Sequence, residues 1–357
     1  MSTQSPSSHS PISSQPLVSI IICNYNFGHL IGQAIDSALK QTYRNCEIVV
    51  VDDASTDHSV EVIRSYGDQV RPIFLEKNSG QAEAFNTGLR NSRGEIVCFL
   101  DSDDRYYENK VERVVEAFGE HPEWVQVSHS WVTVDAEDTK IGYGAKSLVQ
   151  GDVRRMLLTW GRYPCAITSA LSYRRSVLDK ILPIPNRQVW VCGRSYDGGA
   201  DCYLVAVAPF HGQVGFVKEP LMYYRIHGKN RRSRSKNFEH AVHCYKAVGQ
   251  FVNDAAKQTG VAGRFDISRD GQYLALLSLH EGASQCSLLK IVALTLDEAR
   301  GTGMRPWDAL KWMLRRSICV VSPKDGKEVL LLGLSSFIRT KLAAQVPGMA
   351  RASSTRS

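Results

Sequence analysis

The sequence contains no long uninterrupted apolar run. No stretch of about 18 or more uncharged apolar residues occurs, so no membrane-spanning helix is predicted. Residues 1–15 are rich in serine and proline and contain neither a basic block nor an apolar block, unlike a secretory signal peptide. We predict that this segment is a disordered tail.

Cysteine pairs of the metal-binding type are also missing. Nine cysteines are scattered along the chain, and none belongs to a CxxC pair, which argues against a zinc ribbon. An odd number of cysteines in a chain of 357 residues argues against a disulfide scaffold as well. We expect most of them to be small core residues in a reducing compartment.

Positive charge is concentrated near the end of the chain. The net charge is +7, and residues 302–357 contain ten Lys or Arg against three Asp or Glu, which leaves the remainder close to neutral. Such a basic tail favours an anionic partner, for example a membrane surface or a polyanion. A solvated basic surface without a partner explains the charge equally well.

Short apolar runs alternate with helical patterns in the first hundred residues. The predicted strands are Leu17–Cys23, Glu47–Val51, Val70–Leu75 and Ile96–Leu100, and the predicted helices are Leu30–Leu39, Ser59–Ser65 and Gln81–Asn91. This alternation is typical of an α/β fold with a doubly wound, mostly parallel sheet. Near-continuous apolar strands fit a sheet that is covered on both faces.

Three polar clusters directly follow predicted strands: Asn24–Tyr25–Asn26, Asp52–Asp53 and Asp101–Asp104. Because ligands of open α/β sheets bind at the carboxyl ends of the strands, we expect the three clusters to converge at one edge.

The Asp101–Asp104 cluster places three carboxylates within four residues. Unpaired carboxylates this close repel one another, so a cation is a natural partner, and Mg²⁺ or Mn²⁺ prefers oxygen ligands. Taken alone, a solvated acidic turn that precedes a helix is an equally good interpretation.

Four other polar sites have both a chemical and a structural interpretation. A carboxylate at Asp52–Asp53 could contact a nucleobase or ribose, while Ser55 or Asp57 could cap a helix. Tyr25 could stack on a base or be an ordinary loop aromatic. Asp197 and Asp201 could each act as a general base or cap a helix. His227 could bind a metal, although a lone histidine is more often structural.

Together these segments resemble glycosyltransferase family 2, whose members have the GT-A fold. The match is carried, in order and with the expected spacing, by residues 18–26 (VSIIICNYN), 34–43 (AIDSALKQTY), 49–57 (VVVDDASTD), 78–81 (NSGQ) with Asn86, 93–96 (RGEI) and 100–104 (LDSDD). A weaker match extends from Thr168 to His227.

The resemblance implies a role for each site residue. Asn24, Tyr25 and Asp53 would hold the nucleobase, most often uracil. Asn86 and Asp101 would also bind the donor, Asp101 near the ribose and phosphates.

The remaining implied roles concern the metal and the base. Asp103 would coordinate Mn²⁺ or Mg²⁺, and His227 would be a further metal or diphosphate contact. Asp201 would be the catalytic base. The family usually has a Glu–Asp pair there, whereas Ala200 precedes Asp201 here, so Asp197 remains an alternative.

The remaining chain is predicted to be partly irregular and then helical. We predict a helix over Ser147–Trp160, short strands at Gly215–Val217 and Leu221–Tyr224, and helices at Phe238–Asn253, Tyr273–Leu279, Ser287–Ala299, Trp307–Arg315 and Leu330–Val346. The predicted domains are a tail (1–15), a GT-A domain (16–236) and a helical C-terminal region (237–357), with the boundary in the basic stretch 229–237.

The favoured hypothesis is a metal-dependent, inverting transferase that moves a sugar from a nucleoside-diphosphate sugar, expected to be a UDP-sugar, to a hydroxyl acceptor in glycan or polysaccharide biosynthesis. The acceptor would be a saccharide or a lipid-linked saccharide. We expect a cytoplasmic protein with possible peripheral contact at the inner membrane face and no nucleic-acid partner. The alternative is a non-catalytic protein of the same fold that binds polyanions or membrane through its basic C-terminal region.

Overall fold

The computed structural model describes residues 12–145, 148–185, 188–191, 194–197, 199–228 and 238–345. The chain divides into two compact units, Met1–Asn230 with Ala247–Phe265 and Arg231–Lys246 with Asp266–Ser357. The predicted domain boundary at 229–237 lies outside the described residues and stays a prediction. Among the described helices, none has the length and apolar character needed to cross a membrane.

The first unit is built on a mixed sheet of nine strands in the described residues. These are β1 (Val18–Asn24), β2 (Cys46–Asp52), β3 (Arg71–Phe74), β4 (Ile96–Asp101), β5 (Arg105–Tyr106), β6 (Trp124–Val134), β7 (Lys140–Tyr143), β8 (Leu171–Arg174) and a long strand at Gln213–Arg225. A separate two-stranded antiparallel sheet contains β9 (Gln188–Val191) and β10 (Arg194–Asp197). The long strand Gln213–Arg225 is therefore β11.

The described helices are α1 (Gly28–Leu39), α2 (Ser59–Arg64), α3 (Gln81–Arg90), α4 (Lys110–Glu120), α5 (Arg154–Trp160), α6 (Arg175–Ile181), α7 (Ala200–Val207), α8 (Phe238–Gln258), α9 (Gly271–Glu281), α10 (Leu288–Gly301), α11 (Pro306–Val321), α12 (Pro323–Leu332) and α13 (Leu334–Gln345).

The parallel half of the sheet has the strand order β3-β2-β1-β4. Its central strand β1 has Ile20, Ile21 and Ile22 fully buried, because the helices between the strands cover both faces of the sheet. The predicted α/β class is confirmed. Beyond β4 the sheet becomes mixed, since β8 is antiparallel to both β4 and β6, while β11 is parallel to β6.

The predicted helix over Ser147–Trp160 is too long at its start. The helix begins only at Arg154, and Gly151 has a φ of +92° and pairs with Val214 in an isolated bridge. Asp152 then accepts the backbone N–H of Arg154 at 2.9 Å. The left-handed glycine and the Asp152 side chain therefore form a turn that precedes the helix.

Two other predicted segments are also corrected. The short strands at 215–217 and 221–224 are parts of β11, which has register shifts between Val217 and Tyr223. The predicted helix over Leu330–Val346 is broken, because α12 ends at Leu332 and Gly333 has a φ of +78° before α13 begins. Val346 lies outside the described residues.

The second unit has its own apolar core. Buried side chains of α9, α10 and α11 form this core, among them Leu279, Ile291 and Val320. Within it, Arg316 forms a buried ion pair with Glu298 at 2.7 Å. Removal of one partner would leave an uncompensated buried charge, which is strongly destabilising.

Candidate active site

The carboxyl ends of three parallel strands lie side by side. Asn24 at the end of β1 is in register with Asp52 at the end of β2, and Cys23 is in register with Asp101 at the end of β4. The three polar clusters therefore meet at one edge of the sheet, where ligands of such folds bind.

Asn24 and Asp52 form a buried hydrogen-bonded pair at this edge. The Asn24 amide donates to the Asp52 carboxylate at 2.7 Å, and both side chains are almost completely buried. Asp52 also accepts the backbone N–H and the hydroxyl of Ser55, at 2.8 and 2.7 Å. Asp52 thus closes the turn after β2, while the neighbouring Tyr25 remains 44% exposed.

Asp53 anchors the loop that leads into α3. One carboxylate oxygen accepts the backbone N–H of Ser79 at 2.7 Å, and the other accepts that of Gly80 at 2.8 Å. Gly80 has a φ of +85°, a conformation that glycine adopts without steric cost. A carboxylate that accepts backbone N–H groups at a helix start is electrostatically stabilised there.

Asp57 joins the starts of two helices. Its carboxylate accepts the backbone N–H of Gly28 at 2.9 Å, at the start of α1, and that of Ser59 at 2.9 Å, at the start of α2. Asp57 therefore has a structural contact at each helix start, although the N-cap residue of α2 is His58. The hydrogen bonds of Ser55 instead tie the turn to Asp52 and to the backbone N–H of Asn26.

The acidic turn after β4 brings Asp101, Asp103 and Asp104 together. Each offers a carboxylate oxygen, and these oxygens lie within 4.8 Å of one another. Asp101 and Asp103 are partly accessible, whereas Asp104 is buried. Closely spaced oxygen donors suit a hard divalent cation, so the residues present fit Mn²⁺ or Mg²⁺.

Asp104 has a structural role that the sequence does not reveal. Its carboxylate accepts the hydroxyl of Ser169 at 2.6 Å and the backbone N–H of Arg225 at 3.0 Å. Burial, and then the charges of Asp103 and Asp101, raise the pKa of the Asp104 carboxyl well above its ordinary value. Asp104 therefore fixes the acidic turn to β11 and to the turn at Thr168–Ala170.

Arg225 is a site residue that motif reasoning on the sequence missed. Its buried guanidinium donates to the backbone oxygen of Asp103 at 3.2 Å and to Gln33 at 2.8 Å, and it also lies 2.8 Å from Asp138. It thus holds the acidic turn against α1 and the loop between β6 and β7. Its only sequence signal is its position two residues before His227.

His227 lies beside the acidic turn. Its Nε2 is 2.8 Å from the Asp103 carboxylate, and the two side chains are 12% and 16% exposed. The Phe27 ring packs edge-on against the imidazole with the ring centroids 5.5 Å apart. An imidazole and a carboxylate at this distance can share a proton or bind the same cation.

Asp201 lies in the first turn of α7. Its carboxylate accepts the hydroxyl of Thr168 at 3.2 Å. The adjacent Ser169 accepts the backbone N–H of Asp101 at 3.0 Å. The turn at Thr168–Ala170 thus links the acidic turn to Asp201. Asp197, the alternative base, is the last residue of β10.

Asn86 has a clear structural contact. Its amide donates to the backbone oxygen of Ile184 at 2.8 Å and accepts the backbone N–H of the same residue at 2.8 Å. These two bonds attach α3 to the segment after α6. Its role in donor binding stays a prediction, and a donor would compete with Ile184 for the same amide group.

A GT-A-type sheet that ends in an acidic turn defines the class of protein. The family model "Glycosyl transferase family 2" matches residues 19–182. An uncharacterized glycosyltransferase of Nostoc sp. (strain PCC 7120) is 35% identical over 270 residues, 72% of this chain and 80% of that protein. The chain therefore belongs to glycosyltransferase family 2 and is a glycosyltransferase.

Other relatives match a shorter part of the chain. An uncharacterized glycosyltransferase of Rickettsia typhi is 47% identical over 100 residues, which are 28% of this chain and 31% of that protein. TuaG of Bacillus subtilis, described as a putative teichuronic acid biosynthesis glycosyltransferase, is 37% identical over 105 residues, 29% of this chain and 42% of that protein.

Two solved structures share the fold. Residues 1–349 of TarS from S. aureus align with a TM-score of 0.53 and 16% identity, over 90% of this chain and 91% of that one. The mannosyltransferase PcManGT from Pyrobaculum calidifontis, solved with GDP-Man and Mn²⁺, aligns with a TM-score of 0.52 and 18% identity, over 89% and 90% of the two chains.

Proposed function

We propose that this enzyme transfers a sugar from a nucleoside-diphosphate sugar to a hydroxyl acceptor, with a divalent cation and with inversion of the anomeric carbon. The observation that carries the proposal is the convergence of the Asn24, Asp53 and Asp101–Asp104 segments at one sheet edge, beside His227. Amide and carboxylate groups suit a nucleoside, and a cation held at the acidic turn suits the charged diphosphate. A nucleoside-diphosphate sugar needs these two kinds of contact side by side.

The donor is proposed to be a UDP-sugar. Asn24, Tyr25 and Asp53 would surround the base, Asp101 would contact the ribose and phosphates, and Asn86 would support the donor from α3. The fold neighbours support a nucleotide-sugar donor, since TarS residues 1–349 were solved with UDP-GlcNAc and PcManGT with GDP-Man. The two neighbours carry different nucleotides, so the base must be determined by experiment.

Asp103 and His227 are proposed to hold Mn²⁺ or Mg²⁺, with Asp101 beside them. The donor set of carboxylate oxygens and one imidazole nitrogen supports this assignment. A cation held there would stabilise the negative charge that develops on the departing diphosphate. Arg225 and Asp104 keep the turn in place without contacting the donor.

Asp201 is proposed to accept the proton of the acceptor hydroxyl. The Thr168 hydroxyl orients its carboxylate, and the link through Ser169 to Asp101 supports a position next to the donor site. The acceptor oxygen would then bond directly to the anomeric carbon as the bond to the diphosphate breaks, and a single displacement inverts that carbon. Asp197 is the alternative base.

The acceptor is proposed to be a saccharide or a lipid-linked saccharide in polysaccharide biosynthesis, handled on the cytoplasmic side of a membrane. The similarity of 105 residues to TuaG, a putative teichuronic acid biosynthesis glycosyltransferase, supports this class.

The test is a thermal-shift screen of the purified full chain with UDP-, GDP- and dTDP-sugars, with and without Mn²⁺, followed by donor turnover assays. We expect one nucleotide class to raise the melting temperature only with the metal, and Asp103→Asn to abolish that rise. Asp68→Asn, which changes an exposed carboxylate of the same unit, is the matched control. Wild-type turnover by Asp103→Asn in metal-containing buffer would overturn the metal assignment.

A further inference from the structure

Exposed apolar side chains are concentrated in the second unit. Of fifteen large hydrophobic side chains that are exposed among the described residues, eleven lie between Leu288 and Ile338. Single exposed apolar residues need no explanation, but a concentration in one segment indicates a surface that binds something.

Helix α11 has an apolar stripe on the side opposite its packed face. Its packed side contains the buried Arg316, Cys319 and Val320. The other side contains five apolar residues at helical spacing, which we call the outer stripe: Trp307, Leu310, Leu314, Ile318 and Val321.

The outer stripe is open to solvent for most of its length. Trp307 and Val321 at its two ends are 65% and 63% exposed, and Leu310 and Leu314 between them are 37% and 42% exposed, while Ile318 is half-buried. An α-helix that is apolar on two sides is normally covered on both. The outer stripe therefore lacks a covering layer in the described part of the chain.

Basic residues flank the outer stripe. Lys311 and Arg315 follow one another along its edge, and Arg305 immediately precedes the helix. None of the three forms an ion pair with a carboxylate of the described residues. The Lys311 ammonium lies 5.9 Å from the centre of the Trp307 ring. Asp308 is the only acidic residue of α11, and it lies in the first turn, where it favours helix formation.

The apolar outer stripe and its basic edge together indicate what kind of partner would bind there. Interfacial helices present apolar and aromatic side chains to the acyl chains of the lipids and Lys or Arg to the anionic headgroups. Tryptophan favours the boundary between acyl chains and headgroups. Contact between two copies through the same face would bring the basic edges of both copies into one interface, which is unfavourable. A surface of negatively charged lipid complements both the stripe and its edge.

We propose that the outer stripe of α11 docks the enzyme on an anionic membrane surface, with Lys311 and Arg315 contacting the lipid headgroups. The segment Leu330–Val346 is a poorer candidate for such a surface, because its predicted helix is divided at Gly333 and its Lys341 forms ion pairs with Asp325 and Glu328. The proposal does not depend on the donor or acceptor of the transfer reaction.

The test is cosedimentation of the full chain with phosphatidylcholine vesicles that contain or lack phosphatidylglycerol. We expect at least tenfold tighter binding to the anionic vesicles, and weaker binding as salt is added. The double variant Leu310→Ser/Leu314→Ser should lose at least tenfold in vesicle affinity. The variant Lys311→Gln/Arg315→Gln should lose about fivefold for each cation removed, on anionic vesicles only.

The control variant is Ile141→Ser, which removes an apolar side chain of the first unit that is 55% exposed, and it should bind vesicles like the wild type. Unchanged circular dichroism and melting temperature would show that the stripe variants fold. Three results would overturn the proposal: no preference of the wild type for anionic vesicles, unchanged binding by the stripe variant, or conversion of a dimer to a monomer by the stripe variant without vesicles.

Discussion

The carboxylate of Asp103 lies 2.8 Å from Nε2 of His227, although 124 residues separate them in the chain. The contact joins the turn after β4 to the segment after β11. Because His227 touches Asp103 and packs on Phe27, a change at either end should alter the proposed metal site and leave the sheet intact.

Replacement of His227 by alanine should weaken metal-dependent donor binding. We expect at least a tenfold loss of Mn²⁺-dependent UDP-sugar affinity in calorimetry, because one nitrogen donor and one partner of Asp103 are removed. His280→Ala, which removes a partly exposed histidine of the second unit, should bind as the wild type does. Equal affinities in the His227→Ala variant and the wild type would show that His227 is not a metal contact.

Asp201→Asn should reduce kcat without changing donor affinity. The amide can still accept a hydrogen bond from Thr168, but it cannot take a proton, and general bases contribute about 10²–10⁴-fold to rate. Turnover assays with a saccharide acceptor and donor titrations separate the two quantities. Asp197→Asn is the companion variant, and a loss of turnover there with normal activity in Asp201→Asn would transfer the role to Asp197.

Asp53→Ala should lower both stability and donor binding. The variant leaves the backbone N–H groups of Ser79 and Gly80 without their acceptor, and the loss of each of these partly buried bonds to a carboxylate costs about 1–3 kcal/mol. Urea denaturation measures the stability change, and calorimetry measures the donor affinity. Glu76→Ala, at an exposed position of the same loop, should change neither. An unchanged denaturation midpoint in Asp53→Ala would contradict the anchoring role.

His129 should make the folded protein sensitive to acid. Burial, and then the nearby charge of Lys110, lower its pKa to about 3 from an ordinary value near 6.5. The unfolded state therefore takes up a proton first, so this stability contribution is complete above about pH 6.5 and is lost as the pH falls towards 3. At pH 4.5 the loss from His129 alone should be about 2–3 kcal/mol.

The variant His129→Asn isolates this pH-dependent contribution to stability. The imidazole Nδ1 lies 2.7 Å from the backbone oxygen of Ser130, and the asparagine amide can still donate to that oxygen. We expect the stability difference between wild type and variant to shrink as the pH falls from 7 to 4.5. Denaturation at several pH values checks this, and parallel curves would show that His129 does not titrate in this range.

The parallel half of the sheet was predictable because its strands are continuous apolar runs. Each of β1, β2 and β4 lies within one residue of its predicted position at either end, since burial on both faces demands apolar side chains at successive positions. Strand β6 was not recognised, because it buries Gln126, Ser128 and His129 among its apolar residues. Gln126 pairs with the Tyr163 hydroxyl at 2.9 Å, a partner that periodicity does not show.

The sequence by itself determined the fold family and the convergence of the three polar clusters, because the acidic and amide residues follow directly on strands whose carboxyl ends meet at one edge. Only the tertiary structure decided the tasks of Asp104 and Arg225, which are joined across 121 residues. It also revealed the outer stripe of α11, which no described segment covers. Local patterns determine local conformation and burial, whereas a hydrogen-bond partner or an exposed helix face depends on which distant segments the fold brings together.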